Sequence, residues 1–428
     1  MKTHFRWIVV SLLFFITIVN YIDRSSISYA VDVLAKEFHF TNTDIGLILG
    51  AFGVGYVFTT VIGGILVDRY GARRTLFGSI FTWAIALLLT AFSTGFGMLV
   101  AARMLLGFAE GPGFPGVTRA VSDWLSARER ARALSYALMA VPVGLAIGAP
   151  LVSELIIQFT WRGMFFVLTG LTFIWLPFWW FLFRDLPEMS KHVSASELAH
   201  IHKQSGVDPL TAAQKFSKRK KVKGLWKFLL SDKTLLSNYW AFFVFGYFLF
   251  FFMTWLPTYL LQVYQLDLRQ AGLFSTLPWV LGALMMWGVG NLGDYIYAKT
   301  NNYRASRTHL IWISQLLAGL CVLPIVLTHD LYLAIILISL AVGFILSANS
   351  AYYAVNIDIA KERAGTAMGV MNSCFAVAGF MAPALTGWLT TRTHNFHIAF
   401  ILLFVLALSS VLLLLLFHRP VENEALRG

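Results

Sequence analysis

Long apolar runs separated by short polar segments dominate the chain. Twelve stretches come close to or exceed the about 20 mostly apolar residues that carry a helix across a bilayer. They lie at residues 7–28, 45–67, 75–95, 98–119, 132–156, 163–183, 238–261, 271–292, 308–327, 331–356, 364–387 and 396–417. The pattern predicts an all-α membrane protein with twelve transmembrane helices, numbered here as spans 1 to 12. Lys2 and Arg6 ahead of the first stretch resemble the start of a secretory signal. The stretch runs on into Asn20, Tyr21, Asp23 and Arg24 without a small-residue cleavage site, so it reads as a retained span.

Composition agrees with lipid as the solvent: 58% of the 428 residues are hydrophobic and 13% charged, with a mean hydropathy of +0.71. Soluble domains carry about 25% charged residues. The net charge of +12 would suggest a nucleic-acid partner in a soluble protein, but its distribution points to topology instead. The two ends and the even-to-odd loops hold 27 of the 33 Lys and Arg, the opposite loops hold only Lys36, Arg162, Arg269 and Arg392, and Arg24 and Arg103 fall inside spans. By the positive-inside rule both termini are expected in the cytoplasm. The short outer loops suggest a bacterial inner (plasma) membrane. Cys321 and Cys374 sit in apolar stretches as packing residues, with no disulfide framework.

A polar segment at 184–236, with Lys218-Arg219-Lys220-Lys221, divides the chain into six spans plus six. The expected organisation is a bundle over 1–183, a cytoplasmic linker over 184–236 that lies near anionic headgroups, and a second bundle over 237–428. The halves repeat. Glu129-Arg130-Ala131 recurs as Glu362-Arg363-Ala364, Ala149-Pro150 recurs as Ala382-Pro383, and Gly64 to Asp68 has a weaker partner in Gly290 to Asp294. Two six-helix repeats around a central pathway is the architecture of many secondary transporters, whose sites lie near the midplane between repeats.

Specific motifs extend this reading. Gly64-Ile-Leu-Val-Asp68-Arg69-Tyr-Gly71-Ala-Arg73-Arg74, between spans 2 and 3, resembles the loop signature of the major facilitator superfamily. Asn20 to Arg24 in span 1, Arg103 with Glu110 and Gly111 in span 4, Thr254 to Leu260 in span 7, and Lys361 to Gly369 entering span 11 resemble its anion:cation symporter family. That family includes bacterial galactonate, glucarate, hexuronate and phthalate permeases and is related to sialin and the vesicular glutamate transporters. The resemblance covers essentially the whole chain and implies a proton-coupled symporter of a small organic anion, of the carboxylate or sugar-acid type, working by alternating access.

Four ionisable residues lie at membrane depth: Asp23, Arg24, Arg103 and Glu110. Such groups are costly there and mark functional sites. Arg103 and Glu110, seven residues apart, share one face of span 4. The four charges sum to zero, which also fits a purely structural ion-pair network. Their confinement to the first half disfavours that alternative. Protonating one acid leaves a surplus arginine for a carboxylate, so proton and anion are expected to bind cooperatively. The resemblance implies that Asp23 and Glu110 bind the coupled proton, that Arg24 engages the substrate carboxylate, and that Arg103 holds Glu110 or Asp23 charged in the empty carrier. Arginine suits the substrate role through its planar, always-protonated fork.

Tyr21 and Tyr56 in the first half, and Asn349, Ser350, Tyr352, Tyr353, Asn372 and Ser373 in the second, are further candidates for gripping the substrate. Asp68, Arg69, Arg73 and Arg74 are expected to form gating contacts between the halves. Span 5 reads Met139-Ala140-Val141-Pro142-Val143-Gly144 where sugar-acid carriers of the family place a polar side chain. That departure counts against a highly hydroxylated substrate and leaves room for a more apolar, even aromatic, acid. Gly144 and Gly148 suggest close helix packing.

An enzyme is disfavoured: the ten histidines lie in loops or near span ends, and no H-E-x-x-H, G-x-S-x-G or P-loop is present. The expected cofactor is none beyond the proton gradient, with no metal, no nucleic acid, and a monomer in lipid as the working unit. An efflux antiporter and a non-transporting receptor or scaffold of the same fold are the rival readings.

Overall fold

The computed structural model describes residues 4–205, 228–300, 302–360 and 364–419. Its first helix, α1 (Phe5–Phe38), ends where His39 turns left-handed with φ 57°. Thr41 then opens α2 (Asn42–Ala91) with a capping box: its hydroxyl accepts from the Asp44 N–H while the Asp44 carboxylate accepts from its own. A helix rises by about 1.5 Å per residue. The 50 residues of α2 would therefore far overrun a bilayer if they ran straight. The helical path breaks at Gly71, where φ is 80°. Glycine adopts that conformation without steric penalty. Thus α2 supplies spans 2 and 3.

Span 4 is two pieces, α3 (Phe96–Glu110) and α4 (Gly113–Trp124), broken at Gly111-Pro112. Proline lacks the N–H that would continue the helix, and here it precedes a new one. The next helix, α5 (Ala127–Leu182), breaks at Thr160, where φ is 67°. A β-branched residue rarely adopts such a left-handed value. Ion pairs and hydrogen bonds show that α5 doubles back. Its first turn meets the start of α1 through Glu129 and Arg6, and its midpoint meets the end of α1 through Trp161, Arg162 and Glu37. Arg184, just past its end, returns to Trp124.

The second half follows with α6 (Ala195–Ser205) in the linker, α7 (Lys233–Val263), α8 (Leu268–Thr300), α9 (His309–Val322), α10 (Leu331–Ser347), α11 (Asn349–Ala360), α12 (Ala364–Thr393) and α13 (His397–Phe417). Among the described residues, ten helical segments are long and apolar enough to cross a membrane. One of them, Arg132–Leu182, is the doubled spans 5 and 6, and span 4 escapes the count because its pieces are short. Twelve crossings result. Span 10 is likewise two pieces, α10 and α11. Lys218 to Lys221 and Lys361 to Arg363 lie outside the described residues.

The two ends of the bundle differ. At the end away from the termini the halves touch. A methyl group on Gly46 in α2 would sit 2.6 Å from the Pro383 carbonyl of α12, and the Thr43 amide and hydroxyl each lie 2.9 Å from the Thr391 hydroxyl. On the opposite flank Gly272 of α8 packs on Ala149 and Ser153 of α5, and Arg269 pairs with Glu154 at 3.0 Å. At the terminus end a cavity of about 2540 Å³ runs inward between the halves, with Asp68, Arg119, Asp123 and Leu230 at its mouth. Gly144 and Gly148 lie against Ile18 and Ile22 of α1, the close packing expected of them.

The described part of the linker straps the first half. The buried Glu197 carboxylate of α6 accepts from the Phe5 and Arg6 amides at 3.2 and 3.1 Å and pairs with the Arg6 guanidinium at 3.0 Å. This satisfies donors that a helix start leaves open. Arg6 also reaches Glu129. Burial works against ionisation of Glu129, but hydrogen bonds from Arg6 and Ser126 hold its carboxyl below the usual range.

The far-end contact is testable. In a background with Cys321→Ser and Cys374→Ser, the pair Thr43→Cys and Thr391→Cys should cross-link on mild oxidation. Transport should stop until reductant is added, while cavity residues stay open to thiol reagents from the terminus end. Absence of a cross-link would place these helices apart.

Candidate functional site

Three small-residue contacts bring span 2 onto span 4. Gly107 lies against the Phe52 carbonyl, Gly55 against the Met104 carbonyl, and Gly111 against Thr59, each too close for any side chain. The Thr59 hydroxyl lies 3.1 Å from the Gly55 carbonyl and 3.4 Å from that of Gly107. The Ser79 hydroxyl of span 3 donates to the Ala109 carbonyl. Glu110, the last residue of α3, is thereby held at the break in span 4 with its carboxylate aimed at span 1.

There it meets Arg24. Arg24 Nε and Nη2 both donate to Glu110 Oε2, at 2.9 and 2.5 Å, and Nη2 also lies 3.3 Å from Asn20 Oδ1. Both side chains are nearly fully buried yet form part of the cavity wall. Tyr21 and Phe52 flank the guanidinium at 4.5 Å and Tyr56 at 5.3 Å. All three rings are within cation–π range. Arg24 Nη1 has no hydrogen-bond partner.

The expected cluster of four charges does not form as such. Arg103 makes no direct bond to Glu110 or Asp23, donating instead at 3.3 Å to the Arg24 carbonyl and lying 5.4 Å from the Phe52 ring, while Glu110 stays within its Coulomb reach. Arg103 is absent from the cavity wall. On α3 the two residues are about two turns, or about 10 Å, apart, so the acid meets the Arg24 side chain and Arg103 meets the Arg24 backbone. Asp23 is also off the wall: its Oδ2 accepts from Trp83 Nε1 at 2.8 Å and from the Thr172 hydroxyl at 3.0 Å. One ion pair, one carboxyl held by neutral donors and one guanidinium held by a carbonyl and a ring replace the single cluster.

In the second half, Asn349, Asn372, Ser373 and Tyr353 line the cavity opposite Arg24. Tyr352 does not: it is fully buried and its hydroxyl accepts from Gln315 at 2.8 Å. One helical step separates the tyrosine that faces the cavity from the one that faces away. Ser350 is exposed. The Asn349 Oδ1 has no partner, whereas the Ser373 hydroxyl and the Asn372 amide donate to their own helix at 2.9 and 3.0 Å. Tyr353, Phe242 and Phe375 form an aromatic wall, with the Phe242 ring centroid 5.6 Å from that of Tyr353 and 5.5 Å from that of Phe375.

The expected gating residues make contacts within the first half only. Asp68 pairs with Arg119 at 3.3 Å, Arg73 donates to the Trp180 carbonyl and stacks on its ring at 4.1 Å, Arg69 lies over Tyr70, and Arg74 is exposed. Their end of the bundle is open in this conformation, so the second half is out of reach. Sequence reasoning missed Trp83, Thr172 and Phe52. A tryptophan deep in an apolar span is a usable signal, since its N–H needs a partner. Removing one member of the buried pair should cost more than removing both. Glu110→Ala should destabilise the purified carrier by about 3 kcal/mol in detergent unfolding, and Arg24→Leu with Glu110→Leu by less.

Known proteins resemble this chain along most of its length. The family model described as "Major Facilitator Superfamily" matches residues 13–383 and again 302–428. A probable sulfoacetate transporter of Cupriavidus necator is 32% identical over 394 residues, 92% of this chain and 89% of that protein. The hexuronate transporter of Bacillus subtilis is 29% identical over 97% of this chain and 95% of its own, and a probable galactarate/D-glucarate transporter of Escherichia coli is 31% identical over 96% and 93%. The inward-facing, unoccupied crystal structure of a bacterial homologue of the human lysosomal transporter Spinster superposes with a TM-score of 0.79 at 14% identity over 98% of both chains, a likeness of fold. With twelve helices in two halves around one cavity, the chain belongs to the Major Facilitator Superfamily and is a transporter, not an enzyme.

Proposed function

We propose that this protein is a proton-coupled symporter of a small organic anion. The observation that carries the reading is the Arg24–Glu110 pair on the cavity wall. In the empty carrier Glu110 occupies the arginine fork. A substrate carboxylate entering the cavity competes with it, and both cannot be charged against one guanidinium without repulsion. A proton on Glu110 removes its charge and releases the fork for a bidentate bond. Proton and anion therefore raise each other's affinity by the same coupling free energy. Asp23, buried on the same helix as Arg24 and one residue before it, is the second acid of the proton path. Neither step needs a cofactor.

The cavity opens at the terminus end. With cytoplasmic termini in a bacterial inner membrane, this is the inward-open carrier, which releases its cargo where the potential and pH gradient deliver it. One chain encloses the whole site, so a monomer suffices.

For the cargo, relatives named for sulfoacetate, hexuronate and glucarate support a small acid. The wall favours one with a compact apolar or aromatic body. Thr17, Thr60, Thr118 and Ser373 along the cavity spend their hydroxyl protons on their own helices. Tyr353, Phe242 and Phe375 offer ring faces.

Reconstituted in liposomes with an inward proton gradient, Asp23→Asn or Glu110→Gln should abolish concentrative uptake, and at least one of them should retain substrate exchange. Full concentrative uptake by both would sink the coupling assignment. Arg24→Ala should lose binding itself in a thermal-shift titration. A thermal-shift screen of sugar acids, short sulfonates and carboxylates, and aromatic acids at acidic and neutral pH should yield hits that tighten at low pH.

A further inference from the structure

Of the two buried acids at membrane depth among the described residues, Asp23 is the one absent from the cavity wall. Its carboxyl has no surface exposure, its Oδ1 has no partner, and no cation faces it directly. Arg24 adjoins it in the chain but points to Glu110, and Arg103 of span 4 stops at the Arg24 carbonyl. Glu110, also on span 4, is the titratable group within electrostatic reach. From spans 3 and 6 the groups that touch it are neutral: Trp83 Nε1 and the Thr172 hydroxyl, both on Oδ2.

The Thr172 hydroxyl has two acceptors and one hydrogen. It lies 3.0 Å from Asp23 Oδ2 and 3.0 Å from the Leu168 carbonyl one turn earlier on its own helix. A hydroxyl donates once and accepts on its lone pairs, so it cannot donate to both. When Asp23 is ionised, the hydroxyl donates to Oδ2. When Oδ2 carries a proton, that proton is donated to Thr172 Oγ1 and the hydroxyl turns to Leu168. The indole N–H of Trp83, a donor only, bonds Oδ2 in both cases. Trp83 also lies on the cavity wall, between the cavity and the acid.

We infer that Thr172 is a positioning residue for Asp23, a hydroxyl rotor that keeps the carboxyl hydrogen-bonded both with and without its proton, while Trp83 fixes the oxygen that takes the proton. This rests on the reading of Asp23 as a proton-binding acid. A carboxyl buried without a cation would otherwise lose a bond each time it changed charge, and the rotor removes that loss by exchanging donor and acceptor roles without moving the backbone. No atom is gained or lost beyond the transferred proton.

The test compares Thr172→Val, which keeps the shape and lacks the hydroxyl, with Thr172→Ser, which restores it. Bonds to a charged acceptor are about twice as strong as neutral ones. Losing the hydroxyl therefore favours the protonated acid, and the pH of half-maximal uptake should rise by about one unit in Thr172→Val, with Thr172→Ser close to wild type. Infrared difference spectra of the wild type on acidification should contain a protonated-carboxyl band that disappears in Asp23→Asn. That band should move in Thr172→Val and return in Thr172→Ser. A Thr172→Val profile and band identical to wild type, or a Thr172→Ser change equal to that of valine, would overturn the rotor. Wild-type uptake indifferent to a protonophore would overturn the coupling reading beneath it, and full coupling in Asp23→Asn would remove Asp23 alone.

Discussion

A charged side chain at membrane depth must find its partner inside the protein, because lipid offers none. Much of the first half can be understood from that constraint. Arg24 and Glu110 satisfy each other, Asn20 takes a third bond, and three aromatic rings surround the guanidinium. To bring the two together, span 2 packs on span 4 through glycines that admit no side chain, and span 4 breaks just after the acid. The pair stands on the cavity wall, as the proposed exchange of partners requires. A buried pair sealed from the cavity would only stabilise; one that an incoming anion reaches can change partners.

The same economy separates the two acids. Glu110 pairs with a cation on the cavity wall, whereas Asp23 accepts from an indole and a hydroxyl off that wall. Two carboxyls on facing helices thus sit in different electrostatic environments. The second half contributes shape: a helix, α7, buried nearly throughout, an aromatic wall, and asparagine amides at its edge. The pseudo-repeat is thus a repeat of architecture and not of chemistry.

The bundle is asymmetric along its axis as well. Small residues close the far end, where backbones approach within contact distance, and charged residues sit at the open end. Beside the glycine contacts, the Thr43–Thr391 hydrogen bonds and the Arg269–Glu154 pair join the halves at the far end. Asp68, Arg73 and Arg119 find partners inside their own half when the mouth is open. The strap from Glu197 to the start of α1 ties the linker to the first half at that same end.

The number of spans, the pairing of halves and the identity of the buried charges were all legible in the sequence, because lipid imposes a length of about 20 apolar residues and a high cost on each charge. The break of span 4 at Gly111-Pro112 was not, since residues 98–119 read as one apolar stretch. Which charge meets which was not legible. Arg103 and Glu110 share a helical face but stand about 10 Å apart along α3, so Glu110 meets the Arg24 guanidinium while Arg103 meets the Arg24 carbonyl. Trp83 and Thr172 lie 60 and 149 residues from Asp23, and Tyr352 differs from Tyr353 by one step around a helix. Composition and period determine what crosses the membrane; partners at atomic distance depend on helix rotation and kinks, which only packing of the assembled bundle decides.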